Sequence, residues 1–253
     1  MKIEFDRIVS YGCSVTSGFE LADTLIFADK SQQEIDRLKI KLGIEGYIKE
    51  IEKIIPPIQV SHLESTRSWI RFLAEKLNVD YVSRAVPGGC CQSSVYFLER
   101  DLSTGFIRDT DMIIVGHTEH SRWFWIDNNG QPRYPCIGGT NDRWPSSSFH
   151  KDFVAYVGNE HHLSYHWFNG IKYLDMLSTR LDNRIFQQFC LDPVYTLTDK
   201  LRTFDSIIDH DYSFSNIVDW SNKEHIHVFQ HPKIEFHEIF AEHIHKKLIE
   251  KMK

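Results

Sequence analysis

The 253-residue sequence has no Cys-x-x-Cys pair, and its cysteines number five, an odd set. Cys13, Cys90, Cys91, Cys136 and Cys190 therefore build neither a disulfide framework nor a zinc knuckle, and a reducing cytoplasm is the simplest expected compartment. No apolar run approaches the roughly 20 residues of a membrane helix. The opening residues, Met1-Lys2-Ile3-Glu4-Phe5-Asp6-Arg7, mix in acids and lack the apolar centre of a secretory leader. An excess of basic charge is missing too. Lys and Arg total 29 against 35 Asp and Glu, and a formal charge of -6 has the wrong sign for a phosphate-backbone binder. Neither a nucleic-acid nor a membrane partner is expected, and the oligomeric state is left open. What is present is ordinary for a globular protein, 42% hydrophobic and 25% charged, in a chain long enough to bury a full core.

The periodicity predicts strands and helices in alternation. Ile8-Val9-Ser10-Tyr11, stopped by Gly12, reads as a buried first strand. Residues 31 to 55 are charged and helix-favouring, broken by Gly43 and Gly46 and closed by Pro56-Pro57, and predict a helical insertion around 31–57. A helix is expected from Ser65 to Leu77, capped by Ser65 or Thr66, with Trp69, Phe72, Leu73 and Leu77 on one face. A second strand over Asp80–Val86 ends at Pro87-Gly88-Gly89, and a helix follows from about Ser93 to Leu102. Asp111-Met112-Ile113-Ile114-Val115-Gly116 is a continuous apolar run, as a parallel strand buried on both faces requires. Trp123 to Val157 reads as a long irregular excursion. A helix over Leu163–Leu181, a strand over Arg184–Cys190 and a last helix over Glu235–Lys251 complete the series. Residues 191–222 carry no clear signal, and His225–Phe229 is a short strand or a loop. The alternation predicts an α/β fold: one domain over 1–253, a three-layer α/β/α sandwich around a central parallel sheet of flavodoxin-like type. In such sheets ligands gather outside the carboxyl ends of the strands.

The residues with chemical potential follow those ends. Gly12-Cys13-Ser14-Val15-Thr16-Ser17-Gly18 comes after the first strand, Pro87-Gly88-Gly89 after the second and Gly116-His117-Thr118-Glu119-His120-Ser121-Arg122 after the third. His231-Pro232 stands before the last helix. A serine between glycines is either a simple turn residue or a nucleophile, and the second role needs a base and oxyanion donors. The segment is not the Gly-x-Ser-x-Gly elbow. Together the four stretches resemble, in order and spacing over nearly the whole chain, the four blocks of the SGNH (GDSL-type) hydrolases. Gly12 to Gly18 is similar to the first block, Gly-Asp-Ser-Leu-Thr-x-Gly, with Cys13 in place of Asp. The resemblance implies Ser14 as nucleophile and oxyanion donor, Gly89 or Gly88 as a second donor, with Gly89 favoured, and His231 as the base. Thr118 stands where the family has an oxyanion-binding Asn. Arg122, His117 and Gln92 are the expected substrate-binding residues, Arg122 toward a carboxylate or phosphate, or else in an ion pair.

The family also places an Asp two or three residues before its histidine, where this chain has Val228 and Phe229. A backbone carbonyl, Asp219 or Glu224 could orient His231 instead; the site could also be a slow Ser-His dyad or inert. The expected function is an esterase or carbohydrate O-deacylase acting on a small-molecule or carbohydrate ester, with no metal or organic cofactor. A non-catalytic binding module on the same fold is the alternative. A third reading, a metal-dependent hydrolase, rests on His161, His162 and His166 and on His225 and His227, none in an HExxH spacing. His237 is expected beside His231, with His243 and His245 at the surface. Trp123, Phe124, Trp125, Trp144 and Trp167 could line a sugar or acyl pocket. Cys13 is expected to point inward as a small apolar residue.

Overall fold

A computed structural model describes residues 5–118, 122–130, 132–133, 160–191 and 198–253. Six strands are described: β1 (Arg7–Gly12), β2 (Asp80–Ser83), β3 (Asp111–His117), β4 (Trp125–Ile126), β5 (Pro132–Arg133) and β6 (Ile185–Phe189). The helices before the third strand are α1 (Ser14–Ser17), α2 (Asp23–Ile26), α3 (Gln32–Ile54), α4 (Pro57–Ser65), α5 (Trp69–Leu77) and α6 (Cys91–Ser103). After it come α7 (Glu160–Arg180), α8 (Thr198–Leu201) and α9 (Ile234–Lys251).

The main sheet has the order β2-β1-β3-β6, and every pairing is parallel. Alternate strand residues face opposite layers. Ile8, Met112 and Ile114 pack with Trp69 and Leu73 of α5 and Phe240, Ile244 and Leu248 of α9. Val9, Tyr11, Ile113, Val115 and Ile185 pack with Leu98 of α6 and Trp167, Ile171 and Leu174 of α7. Helices thus cover both faces, and the α/β sandwich with a central parallel sheet is what forms. Because both faces are covered, the strands read as unbroken apolar runs rather than alternating ones.

The 31–55 segment is one helix kinked at Gly43, whose φ of 65° ends one helical run and lets the next begin. Ser31 opens it with a capping box, its hydroxyl accepting from the Glu34 amide while the Glu34 carboxylate accepts from the Ser31 amide. Its buried residues Ile35, Tyr47 and Ile51 pack on Ala22, Ile26 and Phe27 as a third apolar cluster. Pro57 does not close the segment; it starts α4 at a position where a missing N–H costs nothing. The helix expected from Ser65 begins later, at Trp69, because Ser65 is the last residue of α4. Thr66 ends α4 and Ser68 precedes α5, because residues 66–68 turn the chain before Trp69 enters the core. Much of the expected 123–157 excursion, with Cys136 and Trp144, lies outside the described residues, as do Glu119, His120 and Ser121.

Candidate active site

The parallel register sets the site. Gly12 of β1 is level with Gly116 of β3, and Gly116 with Gln188 of β6, so the segments leaving these strands emerge at one rim. β1 must turn sharply there. A Cβ on Gly12 (φ 150°) would lie 2.6 Å from the Gly116 carbonyl oxygen, so only glycine lets the two strand ends meet. Ser14 then opens α1. Its carbonyl oxygen accepts from the Gly18 and Phe19 amides, folding residues 14–19 into a closed turn, and Ser14 is largely buried.

The turn after β2 packs against this one, since a Cβ on Gly89 would stand 2.5 Å from the Gly12 carbonyl oxygen. The expectation favouring Gly89 as donor needs correction. Its amide donates to the Val86 carbonyl at 2.9 Å, closing a turn with Pro87 second and Gly88 (φ 82°) third. Gly88 is the remaining candidate from that pair. After β3, Thr118 is buried, and its hydroxyl has no hydrogen-bond partner among the described residues. Arg122 is half-buried, and its positive charge is felt at the Cys13 and Cys90 thiols. Gln92 sits in the first turn of α6, half-buried, with its Oε1 buried and unpartnered among the described residues. Cys13 is fully buried in the core cluster, as its small apolar character predicts.

His117 departs from expectation. It is a core residue packed on Trp167 and Phe189, and Nε2 contacts Gln187 Oε1 at 2.7 Å. Burial pushes its imidazole down to about 4, so it is neutral and its Nε2 proton goes to Gln187. It faces the core, not a ligand.

His231 is brought onto the Ser14 turn by an acid that lies outside the four stretches named above. Nδ1 of His231 lies 2.8 Å from Oε2 of Glu20, and the Phe19 ring packs edge-on against the imidazole at 5.0 Å. Glu20 is fully buried, although burial alone would raise its carboxyl. The His231 hydrogen bond and the Lys39 ammonium, whose Nζ is 2.6 Å from Glu20 Oε1, outweigh burial and hold it below the usual carboxylate range. An ionised carboxylate only accepts, so Nδ1 carries the proton and Nε2 is left as the acceptor. The Phe229 amide also donates to Glu20 Oε1, at 3.2 Å. At the position where the resemblance expects an Asp, the chain supplies a backbone donor that fixes a different acid. Glu20 (φ 71°) and Gln230 (φ 62°) both hold left-handed backbone next to this contact, a cost of about 1–2 kcal/mol each.

Asp219 and Glu224 are not the orienting acids. Asp219 is exposed and accepts from the Ser221 hydroxyl and amide, and Glu224 is exposed. His225 Nδ1 accepts from the Asp219 amide instead. The 225–229 stretch is a turn whose one bridge joins Ile226 to Pro232. His237, near the start of α9, is fully buried and accepts from the Trp69 amide at 3.1 Å. His243 is not a plain surface residue: it contacts Asp209 Oδ2 at 2.8 Å and stacks on Tyr212. His162 and His166 pack on the Trp123 ring at 5.9 and 5.1 Å. Among the described residues, no group of three His, Cys, Asp or Glu side chains gathers to hold a metal. None of the described helices is long and apolar enough to cross a membrane.

No protein-family model and no curated protein matches the chain. Solved structures similar to it include a carbohydrate esterase whose active site displays divergent catalytic and non-catalytic binding functions. That likeness has 12% identity and a TM-score of 0.49, covering 97% of this chain and 69% of the other. An acetyl xylan esterase from the rumen bacterium Butyrivibrio proteoclasticus is similar at 14% identity and a TM-score of 0.47, covering 99% of this chain and 65% of the other. A catalytic mutant of an acetylxylan esterase from Geobacillus stearothermophilus is similar at 11% identity and a TM-score of 0.44, covering 100% and 96%.

Proposed function

We propose that this chain is a serine hydrolase of the SGNH type, an esterase or carbohydrate O-deacylase. Ser14 is the nucleophile, His231 the general base and Glu20 the acid that orients it. The observation carrying this reading is the 2.8 Å contact of Glu20 Oε2 with His231 Nδ1, which fixes the tautomer a base needs, six residues along from Ser14. In the first half-reaction Ser14 Oγ bonds to the ester carbonyl carbon while its proton passes to His231 Nε2. The oxyanion is met by the Ser14 amide, the Gly88 amide and the Thr118 hydroxyl. Losing one such donor costs about 3 kcal/mol of barrier. Collapse breaks the carbon–oxygen bond, and His231 returns the proton to the departing alkoxide. Water, deprotonated by His231, then attacks the acyl-enzyme, and collapse releases the carboxylic acid as Ser14 recovers its proton.

Arg122 and Gln92 are assigned to the substrate side. The Trp123 ring, with His162 and His166, offers an aromatic surface past the end of β3. Such a surface on a chain of net charge -6 suits a small or carbohydrate ester better than a polyanion. Two features favour a binding module instead, the missing Asp and Thr118 in place of the family's Asn, and Glu20 supplies the acid. A fluorophosphonate probe should label the protein, Ser14→Ala should abolish the labelling, and p-nitrophenyl acetate should be turned over. Absence of both labelling and turnover between pH 5 and 9 would overturn the proposal.

A further inference from the structure

Lys39 is a lysine with no exposed surface, a rarity unless the ammonium is paired. It projects from α3, four residues after the buried Ile35 and on the same helical face. Its Nζ is 2.6 Å from Glu20 Oε1, touches the Asp23 carboxylate, and faces the rings of Tyr47 at 5.2 Å and Phe229 at 5.6 Å. Glu20 is thereby gripped from both sides, one oxygen by Lys39 and the Phe229 amide, the other by His231. The surrounding groups add little charge of their own. Burial raises Glu64, which accepts from the Glu20 amide, to about 8, and lowers His227 to about 4, so both are neutral near pH 7. Tyr47 donates to Asp23 at 2.6 Å. One ammonium therefore stands between Glu20, held below the usual carboxylate range, and Asp23, whose carboxyl burial raises, and it is Glu20 that touches the proposed base. A packing role alone would be met at lower cost by Met or Leu, because an ammonium must be stripped of water to be buried.

We propose that Lys39 is a positioning residue for acyl transfer: from α3 it holds Glu20 Oε2 against His231 Nδ1, so this helix completes the catalytic apparatus as well as covering it. The inference rests on the Ser14 hydrolase reading. Without the ammonium, burial drives Glu20 toward its protonated form, which no longer fixes the His231 tautomer.

The test measures p-nitrophenyl acetate turnover from pH 5 to 9 in wild type, Lys39→Met, Lys39→Gln, Glu20→Gln and the Lys39→Met/Glu20→Gln double variant. Near-UV circular dichroism confirms that each is native. Removing the charge should lower kcat about tenfold or more at neutral pH, with KM changed less than twofold. It should also move the acid limb of the pH profile up by about 1–3 units in both single Lys39 variants. The double variant should be no slower than Glu20→Gln, because Lys39 acts through Glu20. An unshifted acid limb, or losses that multiply in the double variant, would overturn the proposal. A second readout is free of turnover: the low-field Nδ1 proton resonance of His231 should be present in wild type and weakened or lost in both Lys39 variants. An active protein with that resonance unchanged in both overturns the role of Lys39 alone. A wild type that turns over no ester and takes no fluorophosphonate overturns the hydrolase reading, and with it the catalytic purpose of Lys39, whatever the resonance does.

Discussion

At the scale of single residues, the proposed hydrolase depends on Glu20 to make His231 a strong base rather than a weak one. Glu20→Gln keeps the volume and a hydrogen bond, but it can present its amide N–H to His231 and invert the tautomer. Ester turnover should fall by up to about 10⁴-fold, as when the acid of a serine protease triad is neutralised, with the fold intact by circular dichroism. A loss below tenfold would mean that another group orients the imidazole. Glu20 was not legible because its partner lies 211 positions away, and the block resemblance pointed to the residues just before His231. A signal did exist. Gly18-Phe19-Glu20-Leu21-Ala22 puts one acid into an otherwise apolar stretch that is buried throughout, and a buried acid requires a partner. Lys39 hid differently, as one charge among many in a helix that reads as solvated. The residues around Ser14 were easier, because glycine at a strand end is a local signature.

Elements set how precisely these residues meet. The strands were legible where they are buried on both faces, as in 111–117, whose every residue is buried. β2 was overread by three residues, because Arg84, Ala85 and Val86 continue an extended chain whose amides at 84 and 86 bond to the Ser10 and Gly12 carbonyls outside the assigned strand. The start of α5 was misjudged because Ser65, Thr66 and Ser68 are all competent caps, and only packing chooses among them. Gly12→Ala should cost at least about 2 kcal/mol or prevent folding, since its Cβ would strike the Gly116 carbonyl. Urea titration checks this, and a neutral result would refute the close approach of the strands. Ser31→Ala removes the side chain of the α3 capping box and should cost about 1 kcal/mol by the same measurement.

For the whole molecule, buried histidines set the response to acid. Burial lowers His117 and His227 to about 4 and His237 to about 3, well below the ordinary 6.5 of the unfolded chain. Between these values the unfolded state binds more protons than the native state. Stability therefore falls as pH drops below about 6.5, by about 1.4 kcal/mol per unit for each histidine. Glu64 works the other way. Raised to about 8 by burial, it is protonated in the native state and ionised in the unfolded state between about 4.5 and 8, so its contribution is lost as pH rises through that window. Below pH 6.5 the three rings outweigh Glu64 and Asp23, whose carboxyl burial also raises. Denaturation midpoints should therefore fall as pH drops from about 6.5 toward 4. A midpoint that keeps rising toward pH 4 would contradict the burial of these rings. In the proposed hydrolase Ser14 and Glu20 ride on one short stretch of backbone, so a single distant docking event, that of the hairpin-like bend carrying His231, separates an inert hydroxyl from an armed one. Anything that pries this bend away should silence the chemistry while leaving the sheet untouched.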